Sequence, residues 1–435
     1  MQSDGQCDIA VIGGGPAGST AAILLARRGH RVVLLEKAHH PRFHIGESLL
    51  PMSLPLFERL GVLEQVHAMG TFKGGADFEA DNARGYNVFA FARALGDSPP
   101  HAYQVPRAPF DALLFAQARA AGADAREGHE VKAIEQAGPR ETRLEIATAA
   151  GDRYDLQARY VVDASGRDAL LASRRKLRRR NPRHQSAALF GHFRGGERRP
   201  GADAGNISVY RFAHGWYWMI PLPDGVMSVG AVCAPAYLKQ RQDDPKRFFL
   251  DTLKHNPALW RRLDGATLID DQVHAAGNYS YDATRIGGPG WLLVGDAFAF
   301  LDPVFSSGVY LAMDGAEKAA ELIDVALREP KREATLLRRY ERRQRTGLAR
   351  FAFFVHRFNG PILRKLFREP RNLWQLEQSI ISMLAGDLFD TPRVLRRLRL
   401  FKLVYGLTAL GDFKAWRADR RLRRAQRRSA DTVAE

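Results

Sequence analysis

Residues 7–37 read CDIAVIGGGPAGSTAAILLARRGHRVVLLEK, a stretch that leaves the chain little choice of fold. The apolar run 9–12 has strand character and feeds Gly13-x-Gly15-x-x-Gly18. Helical periodicity follows over 19–28, Gly29 and His30 end it, and a second apolar run at 32–35 stops at Glu36. Glycines at this spacing permit a tight turn and close approach of the backbone to a pyrophosphate. The helix that opens there aims its N–H groups and positive dipole end at the same point. Glu36 then stands where a carboxylate can accept hydrogen bonds from an adenosine ribose. An ordinary strand–turn–helix does not need these five features together, so the chain is expected to hold a dinucleotide.

A length of 435 residues allows two or three domains, and 45% hydrophobic with 26% charged residues is the balance of a globular protein. No apolar run approaches the ~20 residues of a membrane span. The polar start at 1–7 passes directly into the first strand, which leaves no signal peptide to expect. Two cysteines, Cys7 and Cys233, make neither a disulfide framework nor a metal-ligand spacing, so a cytoplasmic location is expected. The net charge of +17 is concentrated in 174–183 (RRKLRRRNPR) and 393–428. Solvated arginine-rich faces account for it most simply. An acidic protein partner or an anionic surface is the sharper reading, and no nucleic-acid-binding motif accompanies the charge.

Further along, 55–66 reads as one amphipathic helix, 71–78 (TFKGGADF) as a glycine turn into a strand, and 87–93 as another strand. Proline punctuation at 105–108 leads into a helix to 120; 130–135 and 144–147 read as a strand pair. The run 160–163 is a buried strand ending in Ala164-Ser165-Gly166. Between 186 and 273 short alternating segments (187–193, 206–212, 215–221, 227–232) predict an antiparallel sheet. A buried strand at 291–294 ends in Gly295-Asp296; the loop 298–308 and a helix to about 327 follow, and the rest is helical. The expected fold class is α/β (α+β overall): a Rossmann-like nucleotide domain over 1–185, interrupted about 75–104 by strands of the second sheet. An antiparallel substrate domain spans 186–274, the nucleotide domain returns over 275–330, and 331–435 is a helical C-terminal region. Aromatic residues there, Phe351, Phe353, Phe354, Phe358, Trp374 and Phe401, fit either a substrate entrance or plain core packing.

A single glycine fingerprint implies one tightly held nucleotide. Three later stretches favour FAD over NAD. Arg107, with Phe110, Asp111 and Leu114, opens the helix after Pro106, and DASGR (163–167) and Gly295-Asp296 each end a buried strand with a carboxylate. A carboxylate there can meet a ribityl chain, and adjacent N–H groups a pyrophosphate. In this order the stretches resemble the flavin monooxygenase superfamily, with a FAD-binding domain of para-hydroxybenzoate hydroxylase type. Two more narrow it. GWYWMIP (215–221) matches the Trp-x-Trp-x-Ile-Pro signature at Trp216, Trp218, Ile220 and Pro221, and FLDPVFSSG (300–308) matches Phe-x-x-Pro-x-x-Ser-x-Gly at Phe300, Pro303, Ser306 and Gly308. With the fingerprint they resemble flavin-dependent halogenases, nearest the phenol- and pyrrole-acting branch that includes carrier-protein-tethered substrates.

The resemblance implies FADH2, O2 and chloride or bromide as reactants, with hypohalous acid steered to an electron-rich aromatic. It assigns FAD contacts to Gly13, Gly15, Pro16, Ala17, Gly18, Glu36, Lys37, Arg42, Glu47, Ser48, Arg107, Val131, Asp163, Gly166, Gly295, Asp296, Pro303 and Gly308. Halide falls to Ser307 and Gly308, and catalytic roles to Lys73, Trp216, Trp218 and Ser306. Residues 46–51 (GESLLP) resemble the strap that joins the two sites. Burial of Lys73 would make its neutral amine accessible. Tryptophan halogenases carry a glutamate just before the Ser of the loop motif; Phe305 stands here, which speaks for a phenol or pyrrole rather than free tryptophan. The implied partners are a flavin reductase, an aromatic small molecule and an acidic acyl or peptidyl carrier protein, without nucleic acid or a transmembrane segment. The alternative is an FAD-dependent aromatic hydroxylase using NAD(P)H, which shares the fingerprint and Arg107 but has no need of the two paired signatures. An isoprenoid-type reductase and a non-catalytic carrier-docking flavoprotein are further rivals.

Overall fold

The computed structural model describes residues 5–181, 185–241, 244–277, 280–368, 370, 372–411, 417 and 421. Strand Gln6–Ile12 lies at the centre of a parallel sheet. Arg153–Asp163 and then Trp291–Leu293 lie on one side of it, Val32–Glu36 and then Asp124–Glu127 on the other. Val32–Glu36 is buried at every position, as a parallel strand covered on both faces must be. Helix Pro16–Ala26 packs against both Arg107–Ala120 and Gly308–Arg328. His129–Gly138, Glu141–Thr148 and the first half of Arg153–Asp163 form an antiparallel flap continuous with the same sheet. The register sets Ile12 beside Leu35 and Asp163, and Asp163 beside Leu293. The strands therefore all release their chain at one rim.

A second sheet runs in the order Thr267–Leu268, Ala187–Arg194, Val226–Cys233, Gly215–Pro221, Ile207–Phe212, Gly75–Glu79, Tyr86–Ala90. Its two faces bury different things. Trp216, Trp218 and Ile220 join the main core, whereas Tyr217 and Met219 join a separate cluster with Phe249, Leu253 and Leu259. This alternation is the period of a strand buried on both faces.

The structure departs from the sequence expectations at several points. The strand expected over 160–163 begins at Arg153, and Asp124–Glu127 is a parallel strand not expected from the sequence. The single helix expected over 55–66 is two, Leu54–Leu60 and Leu63–Met69, because Gly61 adopts φ +76° and turns the chain. The strand expected over 87–93 stops at Ala90 and coils into a short helical turn, Phe91–Arg93. The second sheet is not purely antiparallel. Ile207–Phe212 runs parallel to Gly75–Glu79, and helices Pro235–Leu238, Pro245–Lys254 and Pro257–Arg261 lie within the 186–274 stretch. Each begins with proline at its first position, a start signal that the alternating pattern masked.

Past residue 330 the described chain is helical: Glu333–Val355, Pro361–Arg368, Leu376–Leu384 and Pro392–Gly411. Phe351, Phe354 and Phe358 are buried, while Trp374 is 64% exposed. Most of the basic run beyond 411, and 182–183 of the earlier one, lie outside the described residues. Both cysteines are buried and free, and among the described residues no helix is long and apolar enough to cross a membrane.

The turn after the first strand allows no side chain. A Cβ on Gly18 would sit 1.8 Å from the carbonyl oxygen of Gly13. Gly18→Ala is expected to cost about 1–3 kcal/mol, the range of overpacking, and thermal unfolding of wild type and variant reads it directly.

Candidate active site

The common rim of the parallel strands opens into a cavity of about 670 Å³, walled on its far side by the second sheet. Its floor is the glycine turn. Gly13 has φ +101°, and a Cβ there would lie 2.4 Å from the carbonyl of Ala164; one on Gly14 would strike the Phe115 ring at 2.7 Å. Helix Pro16–Ala26 begins here with neither a capping side chain nor an acidic residue in its first turn. Its first N–H groups are thus available to an anion. Lys37, Arg42, Arg107, Arg167 and Arg178 line the same cavity. Glu36 accepts from the N–H of Gly14 (2.7 Å) and of Ala38 (2.9 Å), which fixes its carboxylate at the edge of the turn.

Asp296 also lines the cavity. Burial pushes its carboxyl up to about 6, against the pull of Arg167 and Arg107. A buried carboxyl wants hydroxyl donors. An anion cradle, a ribose-height carboxylate and a second carboxyl further in together fit FAD, its pyrophosphate on the turn, Glu36 at the adenosine end and Asp296 at the ribityl end.

Of the residues assigned from sequence, Gly13, Gly15, Pro16, Ala17, Glu36, Lys37, Arg42, Glu47, Ser48, Arg107, Val131, Gly166, Asp296, Pro303, Gly308, Trp216, Trp218 and Ser306 line the cavity. Gly18, Asp163, Gly295, Ser307 and Lys73 do not. Gly18 is pressed on Gly13. The Asp163 carboxylate accepts from the N–H groups of Ser165 (2.9 Å) and Leu171 (2.7 Å), so it braces its own turn. Gly295 has φ +57°, and a Cβ there would lie 2.9 Å from that of Ala312. With Ser307 it faces a separate cavity of about 30 Å³ behind the loop.

Arg107 acts as a clamp. Its Nε and Nη2 donate to Asp111 (2.9 and 3.0 Å) while Nη1 donates to the carbonyl of Ile45 (2.7 Å), which holds the strap across the cavity mouth. Glu47 fixes the strap to the second sheet: its Oε1 lies 2.7 Å from His192 Nε2. Burial opposes charge on His192, but Glu47 outweighs it and raises the imidazole above its ordinary value. His44 is driven the other way, to about 4, by burial and by Arg107.

Behind the strap lies Lys73, among the largest fully buried side chains. Strand Thr71–Lys73 pairs with Ala102–Gln104 and aims the amine at Ser48 Oγ (2.9 Å) and at the carbonyl of Leu49 (2.8 Å). Its Nζ sits 5.3 Å from the centre of the Phe91 ring. Desolvation lowers its pKa to about 7. Ser48 therefore stands between this amine and the large cavity.

The wall opposite is Trp216 and Trp218, rings 5.9 Å apart. Gly230 makes room for the second: a Cβ there would meet the Trp218 ring at 2.2 Å. Trp216 Nε1 donates to Asp302 (3.1 Å), whose carboxylate also accepts from Ser186 Oγ (3.0 Å) and caps the turn Pro303–Phe305. Burial pushes Asp302 up to about 6. The sequence reading overlooked Asp302, although a carboxylate inside an apolar FLDP run was the available signal. Ser306 follows in the left-handed region (φ +55°), and helix Gly308–Arg328 opens with no acidic residue in its first turn. Sequence reasoning also missed His44, Arg167 and Arg178, which line the cavity. Arg178 had been counted with the solvated basic run.

The FAD binding domain family matches residues 6–352. A tryptophan 2-halogenase of Chondromyces crocatus is 34% identical over 421 residues, 95% of this chain and 78% of the relative. A 1H-pyrrole-2-carbonyl-(peptidyl-carrier protein) chlorinase of Pseudomonas fluorescens is 29% identical over 90% of this chain and 92% of its own. Among solved structures, the myxobacterial chondrochloren halogenase is 31% identical with a TM-score of 0.77, covering 98% of this chain and 97% of that one. A flavoprotein/dehydrogenase from Cytophaga hutchinsonii superposes with a TM-score of 0.85 at 26% identity, covering 94% and 100%.

The Lys73 amine makes a stability prediction of its own. Its folded pKa of about 7 lies below the ordinary 10.5. Between those values the unfolded chain holds the extra proton, so this residue makes the fold more stable as pH rises. The difference in Tm between wild type and Lys73→Met should therefore shift in favour of wild type from pH 7 to pH 10. Parallel Tm curves would mean an amine with an ordinary pKa.

Proposed function

The chain belongs to the flavin-dependent halogenases, and from that premise we propose that Lys73 carries halogen from the flavin cavity to an electron-rich phenolic or pyrrolic ring. Bound as FADH2, the cofactor supplies with O2 the oxidant that converts chloride or bromide to hypohalous acid. The glycine turn and Glu36 hold the nucleotide end, and the Arg107 clamp keeps the strap over the cavity. Backbone N–H groups at Ser307 and Gly308, at the start of helix Gly308–Arg328, hold the halide. Trp216 and Trp218 exclude the organic substrate from that chamber.

The observation that carries the reading is the Lys73 amine, buried and partly neutral near pH 7, one side chain behind the cavity. A neutral amine takes halogen from hypohalous acid: N–H is replaced by N–X and water leaves. Transfer to the ring restores the amine as the ring's proton is lost. An ammonium cannot do this, and burial is what keeps the amine available.

The ring must supply its own activation. Phe305, buried and edge-on to Phe358 at 5.6 Å, brings no carboxylate to the loop. A phenol or pyrrole is activated by its own oxygen or nitrogen. One relative is named for a pyrrole on a peptidyl carrier and another for the 2-position of tryptophan, a carbon of indole's pyrrole ring. A carrier-tethered substrate is also supported by the +17 charge, since carrier proteins are typically acidic. A separate flavin reductase delivers FADH2.

Mass spectrometry of reactions containing reductase, NADH, FAD, O2 and bromide, with phenols and pyrroles free and carrier-bound, tests this. A bromine isotope doublet is expected. Lys73→Ala should lower its yield by about 100-fold or more, the scale of losing a positioned proton-transfer group, while FAD affinity is unchanged. Addition of oxygen without bromine would instead identify a hydroxylase.

A further inference from the structure

Strand Ile207–Phe212 sets Arg211 directly opposite Trp216. Residues opposite one another on antiparallel strands project from the same face. Arg211 thus shares the face of the indole wall, and its neighbour Phe212 packs into the outer cluster. The guanidinium lies over the Phe358 ring, 4.1 Å from its centre. That ring in turn meets Phe305, the residue before Ser306.

Among the described residues Arg211 has no counter-ion. Its Nε and Nη2 are shielded from solvent and have no hydrogen-bond partner among the described residues. The guanidiniums of Arg107, Arg199 and Arg343 each meet a carboxylate, from Asp111, Asp77 and Asp314, and that of Arg262 is held by the hydroxyls of Ser208 and Tyr210 and the carbonyl of Glu197, with only its Nη2 unpaired. Around Arg211 the balance is positive. Arg364 and Arg368 oppose its charge and Glu79 supports it; burial, the largest effect, lowers its pKa to about 9. Arg368 is engaged by Asp81 (2.6 Å), and Glu79 accepts from Asn256 (3.2 Å). Arg364 is exposed on helix Pro361–Arg368. Arginine stays charged at neutral pH, so a half-buried guanidinium with two shielded, unpaired nitrogens weakens the fold unless an anion joins it. The free edge is Nε with Nη2, the side of the fork that grips an oxyanion with two parallel hydrogen bonds.

We propose that Arg211, with Arg364 at the rim, is a binding site for an oxyanion carried by the organic substrate, a carboxylate or a phosphate. The inference rests on the reading of the tryptophan wall as the boundary of the substrate side. A free aromatic acid would present the carboxylate; the arm of a carrier protein would present the phosphate. Either would anchor the substrate one aromatic ring from the halide loop.

Calorimetric titration of the FAD-loaded protein, without halide or reductant, separates this from the halogenation reading. The probes are 4-hydroxybenzoate against its methyl ester, and 4′-phosphopantetheine against pantetheine. At least one anionic probe should bind about tenfold or more tighter than its neutral counterpart, the worth of one charged hydrogen-bond pair. Arg211→Gln should abolish that preference, and Arg211→Lys should keep part of it. The carboxylate pair responding alone would assign a free acid, and the phosphate pair alone a carrier arm. Equal binding of anion and neutral probe in wild type, or a preference that survives Arg211→Gln, would overturn the inference. Ligand-free Arg211→Gln should have a Tm at or above wild type, because it removes an unpaired, half-buried charge; a fall of several degrees, or failure to fold, would assign Arg211 to the fold and overturn it equally.

Discussion

The cleft depends on the approach of Gly18 to the carbonyl of Gly13. That contact sets the first helix so close to the first strand that its N-terminal N–H groups open into the rim where the parallel strands end. Gly13 in turn is pressed on Ala164, the residue after Asp163, so two strand ends are locked at once. Asp163 serves that lock by holding the N–H groups of Ser165 and Leu171. A carboxylate at a strand end therefore takes one of two roles here: Asp163 braces the backbone, while Asp296 is left for the cavity.

Buried charge is handled in three ways, and each matches a task. Arg107 and Asp111 neutralise one another in a two-bond fork, leaving one guanidinium nitrogen to hold the strap. Such a pair is geometrically rigid. Lys73 meets only neutral acceptors, and the hydroxyl of Ser48 and the carbonyl of Leu49 serve an amine as well as an ammonium. Desolvation then decides, and it decides for the amine. Arg211 has neither remedy, since it meets no carboxylate among the described residues and stays charged near neutral pH.

The parts of the fold set by short-range chemistry were legible in the sequence. The glycine turn and the strands Val32–Glu36 and Gly215–Pro221 follow from turn residues and apolar runs, and their bounds agree closely with the structure; Arg153–Asp163 begins seven residues before the expected 160, and Asp124–Glu127 carries no such run. Helix Leu54–Leu60 was fused with its neighbour because one apolar stripe continues through Gly61, and only the positive φ of that glycine breaks it. The parallel pairing of Ile207–Phe212 with Gly75–Glu79 joins segments more than a hundred residues apart, and no local pattern records such a pairing. The same limit applies to the site. Trp216 and Trp218 announce themselves as a motif. Asp302 and Arg211 do not, because what matters in each is a partner, or the lack of one, brought by another part of the chain.

Asp302 shows how the two halves of the site are made one. Its carboxylate reaches Trp216 on the second sheet, Ser186 at the start of that sheet and the N–H of Val304 in the turn Pro303–Phe305. The tryptophan wall and the loop that carries Ser306 and Ser307 are thus fastened to a single buried group. Neither can shift by itself without leaving a polar atom unpaired in a place water does not reach, and that cost keeps the two in register. The strap is fastened in the same fashion, by Arg107 on one side and by Glu47 with His192 on the other. On the function proposed for this site, a diffusible oxidant is made in one chamber and consumed in another, which needs the partition between them fixed. Here side-chain hydrogen bonds from separate elements fix it, where either sheet alone could not.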